Sequence, residues 1–197
     1  MCQFSSHAPR RFSAVLLLAV AGLTNAYLDQ GVCPDFQNIA AFEIPPYLGR
    51  WFEAHRYPAG FEEGNTCVTA DYGAIDDTTI SVTNTANLPD GTLDTIVGTG
   101  TATGVPGQLV VQFPGEPVGF YNVLATDYTT YSSVYSCSQI GEFRDQYAWV
   151  LSRTEEMSAD SLTAALDAFE SNGIDTAVLQ PTPQGAGCVY APVPPKI

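Results

Sequence analysis

Beyond its first 26 residues this chain carries one histidine, His55, and four cysteines, Cys33, Cys67, Cys137 and Cys188. Acyl transfer by a histidine-activated nucleophile needs a serine or thiol beside the base and a carboxylate to orient it. No such set can be assembled around His55. Zinc ligation needs close Cys or His pairs, and neither a CxxC nor a Cys/His cluster occurs. Four cysteines in an oxidising compartment read instead as two disulfides, with three connectivities open. The chain therefore reads as no enzyme, requiring no metal or other cofactor, and His55 as a hydrogen-bonded wall residue.

The N-terminal segment supplies the compartment. Arg10 and Arg11 precede a stretch from Phe12 to Leu23 that is apolar apart from Ser13 and Gly22. Thr24-Asn25-Ala26 then offers small residues for cleavage, so 1–26 reads as a signal peptide and 27–197 as a single secreted domain. No second stretch approaches the ~20 apolar residues of a membrane helix. The remaining chain has five basic residues against 21 acidic ones, a formal −16 that repels nucleic acid and anionic membranes.

The elements that must position these residues are strands. Runs at 50–57, 66–75, 79–85, 92–103, 108–113, 120–126, 132–138 and 146–153 are rich in β-branched and aromatic residues. Gly, Pro and Asp cluster between them, as in Leu88-Pro89-Asp90-Gly91 and Gly104-Val105-Pro106-Gly107. Eight short strands at this spacing predict an all-β sandwich or barrel. One helix follows at about 158–172, with Ser158 as its cap and Leu162, Ala165, Leu166 and Phe169 as its apolar stripe. It belongs on the outside of the sheet. Ala177–Gln180 predicts a short ninth strand, and the ends beyond Cys33 and Cys188 read as unstructured.

Three segments stand in a telling order: Gly49-Arg50-Trp51 opening the first strand, Thr126-Asp127-Tyr128 between the sixth and seventh, and Arg153 closing the eighth. Together with Leu124-Ala125, Val134-Tyr135-Ser136-Cys137 and Ala148-Trp149-Val150-Leu151, they resemble the lipocalins. The likeness is to the apolipoprotein D-like branch, with its crustacyanin and bilin-binding relatives, and covers essentially the whole of 27–197. It implies an eight-stranded antiparallel up-and-down β-barrel over about 50–153 with the helix outside. It further implies a secreted carrier of a small hydrophobic ligand such as a sterol, retinoid, carotenoid or other lipid. Alternatives are a bilin- or carotenoid-binding coloration protein, a filled structural barrel, or a lipid-metabolising enzyme of the family, which would need a free thiol. The family pattern pairs Cys33 with Cys137 and Cys67 with Cys188, and places Tyr72, Asn84, Phe113 and Tyr121 on cavity walls.

In such a barrel the three segments meet at one rim. Gly49, Trp51, Thr126, Asp127, Tyr128 and Arg153 then form a plug, with the Arg153 guanidinium stacked on Trp51. Alternation from Trp51 turns Glu53 and His55 inward and Phe52, Arg50 and Arg56 outward. Glu53 either partners a buried donor or sits solvated near the rim. Alternation from Arg153 turns Leu151 and Trp149 inward, Trp149 nearer the ligand. Arg144, in the last hairpin loop, is then the one cation within reach of a ligand headgroup, so neutral lipids are expected to bind better than their carboxylates.

Overall fold

The computed structural model describes residues 27–193; the expected signal peptide and Lys196 lie outside them. The strands are β1 (Tyr27–Gln30), β2 (Gly49–Arg56), β3 (Thr66–Ala74), β4 (Thr79–Asn87), β5 (Leu93–Ala102), β6 (Gln108–Gln112), β7 (Gly119–Thr126), β8 (Tyr131–Ile140), β9 (Phe143–Ser152) and β10 (Gln180–Pro181). Helix α1 (Ile44–Tyr47) precedes β2, and α2 (Ala159–Glu170) follows β9. Strands β2 to β9 pair antiparallel in sequence order, and β9 returns to β2, closing an eight-stranded barrel. The eight expected strands are all present.

Period-two patterning explains which side chains fill the barrel. In β4, Ile80 and Val82 are buried inside while Ser81 and Thr83 alternate outward. Directly opposed residues of an antiparallel pair share a face. The register Gly49–Tyr72–Val82–Gly98 therefore lines the interior across four strands. Val123, Val134 and Leu151 complete this inner cluster. A second cluster forms outside, where Ala165 and Phe169 of α2 pack on Tyr135, Ala148 and Val150. Ser158 caps α2 by accepting from the Ser161 amide, and the Ser133 hydroxyl holds the helix to β8 through the Ala165 carbonyl at 2.9 Å.

The disulfides are Cys33–Cys137 and Cys67–Cys188. The ends are more ordered than the sequence reading had them. The β8–β9 hairpin is long enough to offer β9 an edge, and β1 pairs along it from Tyr27–Gln146 to Gln30–Phe143. Asp29 and Arg144 lock this pairing at 2.8 Å. At the other end Asn87 exchanges two hydrogen bonds with the Val189 backbone, and Tyr190 packs on Phe52 with ring centroids 5.3 Å apart. Phe52 thus faces outward, as alternation placed it, and lies under the tail. The expected strand over Ala177–Gln180 is a 3-10 turn, Thr176–Val178, because the Asp175 side chain accepts from the Ala177 amide; the strand begins only at Gln180.

Candidate functional site

One end of the barrel is sealed. Trp51 is fully buried, and the Arg153 guanidinium carbon sits 3.6 Å from its ring centroid. The same guanidinium donates to the carbonyls of Tyr128, Arg50 and Pro46 at 2.8–2.9 Å. The Trp51 indole donates to the Tyr47 carbonyl at 2.9 Å. Gly49 adopts a φ of 95°, which a side chain would resist, where the chain turns from α1 into β2. Thr126 and Asp127 shape the β7–β8 turn. The Asp127 carboxylate accepts from the amides of Thr129, Thr130 and Tyr131; although burial opposes it, these bonds and the Thr130 hydroxyl hold its carboxyl below the usual range. The turn leaves Tyr128 at a φ of 66°, its hydroxyl accepting from the Glu43 amide.

Above the plug lies a layer of tyrosines. The Tyr121 hydroxyl is 2.7 Å from that of Tyr47 and 3.0 Å from that of Tyr72, and Tyr47 also meets Ser132 at 2.9 Å. Burial pushes all three phenols up, Tyr47 to about 12, so they stay neutral. Tyr72 and Tyr121 line the interior as expected, but their hydroxyls already bond one another. Asn84 differs: it shares the inward face with Ala70 and Ile96, and its Oδ1 is buried without a hydrogen-bond partner among the described residues. Phe113 packs against the inner cluster, its ring so close over Gly98 that an added Cβ would meet it at 2.6 Å.

The end opposite the plug departs from simple alternation. In β2 the register against β9 slips between Glu53, opposite Leu151, and His55, opposite Val150. An extra residue in one strand turns everything after it to the other face. His55 consequently leaves the interior and pairs with Pro181 of β10, contrary to the wall position read from the sequence. Arg56 takes an inward place opposite Trp149. Its Nη1 donates to Glu53 Oε1 at 2.6 Å and to Thr182 Oγ1 at 3.1 Å. Its Nη2 donates to the carbonyls of Glu62 and Asn65 at 2.7 and 3.2 Å. Glu62 hangs from the β2–β3 loop, and its Oε2 accepts from Trp149 Nε1 at 3.4 Å. Trp149 stacks on Tyr147, centroids 5.7 Å apart, and Tyr147 in turn meets Phe61 at 5.6 Å.

The pattern of the Lipocalin-like domain matches residues 42–184, which contain the whole barrel from β2 to β9 and helix α2. The chain belongs to the lipocalin family. It is 36% identical to apolipoprotein D of Mus musculus over 182 residues, covering 88% of this chain and 95% of that protein. It is 32% identical to the Lazarillo protein of Schistocerca americana over 187 residues, covering 88% and 83%. Lobster apocrustacyanin A1 shares the fold with a TM-score of 0.75 at 20% identity, covering 82% of this chain and 93% of that one. Insecticyanin of the tobacco hornworm Manduca sexta superposes with a TM-score of 0.72 at 22% identity, covering 82% and 90%.

Within this lipocalin the charged groups are arranged unlike the sequence reading. Arg144 is engaged by Asp29 outside the barrel and is not free for a headgroup. Arg50 faces outward, paired with Asp71 at 2.6 Å. The residues missed were Arg56, Glu62 and Thr182. The sequence held one usable signal: Glu53 was placed inward, a buried donor was one of its two readings, and Arg56 lies three residues away.

Proposed function

We propose that this lipocalin is a secreted carrier for a neutral hydrophobic molecule, held inside the barrel between the tyrosine layer and the β2–β3 loop. The observation that carries the reading is the unpartnered Asn84 Oδ1 on the mostly apolar and aromatic stretch of wall between the tyrosine layer and Arg56. A ligand hydroxyl donating to that oxygen would recover a hydrogen bond that its burial otherwise forfeits. Ligand pockets have this composition, mostly apolar with a few placed polar groups. Trp149, Leu151, Tyr72, Asn84, Phe113 and Tyr121 are the proposed lining, and His55 is not among them. A sterol, retinol or a carotenoid alcohol fits the chemistry. The kinship with apolipoprotein D supports a lipid cargo, and the four paired cysteines support an extracellular setting.

The test is titration of the delipidated protein with retinol, followed through tryptophan emission. Saturable binding with one site per chain is expected. Organic extraction of the protein from its source, with a visible spectrum beforehand, separates a colourless lipid from a pigment. Absence of saturable binding by any hydroxylated terpenoid or sterol would reject the reading.

A further inference from the structure

Two donors at the barrel mouth converge on one oxygen. Arg56 Nε lies 3.9 Å from Glu62 Oε2, and Trp149 Nε1 reaches the same oxygen at 3.4 Å. Both donors sit on the inward face, Arg56 and Trp149 being directly opposed across β2 and β9. A guanidinium and an indole N–H aimed at one point make an anion site. Here it is filled from within the chain, by the Glu62 carboxyl of the β2–β3 loop. We propose that Glu62 is the specificity-determining residue of this lipocalin: it occupies the position a ligand carboxylate would take, and so keeps the barrel for neutral ligands.

The inference rests on the carrier reading and names how that site discriminates. The rest of Arg56 is engaged independently of the Glu62 carboxylate. Glu53, Thr182 and two loop carbonyls hold its other nitrogens. Losing the Glu62 side chain therefore leaves the guanidinium anchored and pointed inward. At neutral pH burial and the neighbouring Glu53 keep the Glu62 carboxyl largely protonated, so Glu53 alone balances the guanidinium. A ligand carboxylate must displace Glu62 to reach Arg56 Nε and Trp149 Nε1.

Retinol and retinoic acid share a chain and differ at the headgroup, so they are suitable probes. Both are titrated at neutral pH into the delipidated wild type, Glu62→Ala and Glu62→Gln. The wild type should prefer retinol. Glu62→Ala should bind retinoic acid about tenfold or more tighter than the wild type does, the scale of one charge-assisted hydrogen bond, with retinol changed by less than about twofold. Glu62→Gln, which keeps a neutral group of the same size and an acceptor for Trp149, should stay close to the wild type. Adding Trp149→Phe to Glu62→Ala should return part of the gain in acid affinity. Unchanged acid affinity in Glu62→Ala, with retinol still bound, overturns the inference and leaves the carrier reading intact. Equal shifts for both retinoids also overturn it, since they signal a loop effect blind to the headgroup. If neither retinoid, nor any other hydroxylated terpenoid or sterol, binds any of the three proteins, the carrier reading fails and the inference falls with it.

Discussion

Arg56 and Glu53 lie three residues apart on one strand yet face the same side of the barrel, 2.6 Å from nitrogen to oxygen. A regular strand would set them on opposite faces. The slip at Ala54 brings them together and places a buried ion pair at the mouth of the barrel.

Removing one partner of that pair leaves a buried charge uncompensated. Arg56→Met should cost about 3–5 kcal/mol in chemical denaturation at neutral pH. Glu53→Gln combined with Arg56→Met should cost less than the two single changes added together, by about 1–3 kcal/mol. Strict additivity in the cycle would show that the two side chains do not interact in solution.

The stacked plug makes a second cycle. Trp51→Ala empties a fully buried aromatic site and should cost about 3–5 kcal/mol. Arg153→Ala leaves three carbonyls short of a donor and should cost about 1–3 kcal/mol. The double variant should cost less than their sum. Arg153→Lys should not restore the wild type, because an ammonium lacks the planar fork that spans Tyr128, Arg50 and Pro46.

Stability should depend on pH through Glu62 in a definite direction. Burial first, then the Glu53 charge, raise its carboxyl from 4.5 to about 8, with Arg56 opposing. Glu53 and Arg56 face it from β2, and Trp149 and Tyr147 from β9. Below pH 4.5 the group is protonated in folded and unfolded chains alike, and its contribution is fully present. Between 4.5 and about 8 the unfolded chain ionises first, so that contribution is progressively lost. Carboxyls held low, such as Asp29 and Asp127, run the other way and lose their contribution as the solution is acidified. The clean observable is the Tm of the wild type minus that of Glu62→Gln. It should fall steadily across this window and level off above it. A flat difference would contradict the buried placement of Glu62.

Trp149 should report the ligand. Its ring lies on the inner face beside Tyr147, whereas Trp51 is enclosed beneath Arg153. Saturating retinol should quench or shift the emission of the wild type, and Trp149→Phe should lose most of that response while still binding. A full response in the variant would move the ligand away from this wall.

The positions of the strands and of the outer helix were legible in the sequence because each follows from local rules. Alternation over Thr79–Asn87, Gly and Pro between runs, and a 3.6-residue stripe behind Ser158 each constrain only neighbouring residues. The stacking of Arg153 on Trp51 followed from the family resemblance, which implied the up-and-down barrel whose strand order brings those ends to one rim. The cysteine pairing came from family resemblance, because four cysteines alone leave three connectivities open.

What only the tertiary structure decided is the chemistry of the mouth. A bulge costs one residue of register and leaves no mark in a period-two pattern, so His55 and Arg56 exchanged faces unseen. Whether β2 slips there depends on its partners, β9 on one edge and the returning tail on the other. Thr182 joins Glu53 from 129 residues away, and Glu62 descends from a loop with no periodicity to read. Local patterning sets which residues are strands; where a charge finally points is settled by contacts between segments far apart in the chain.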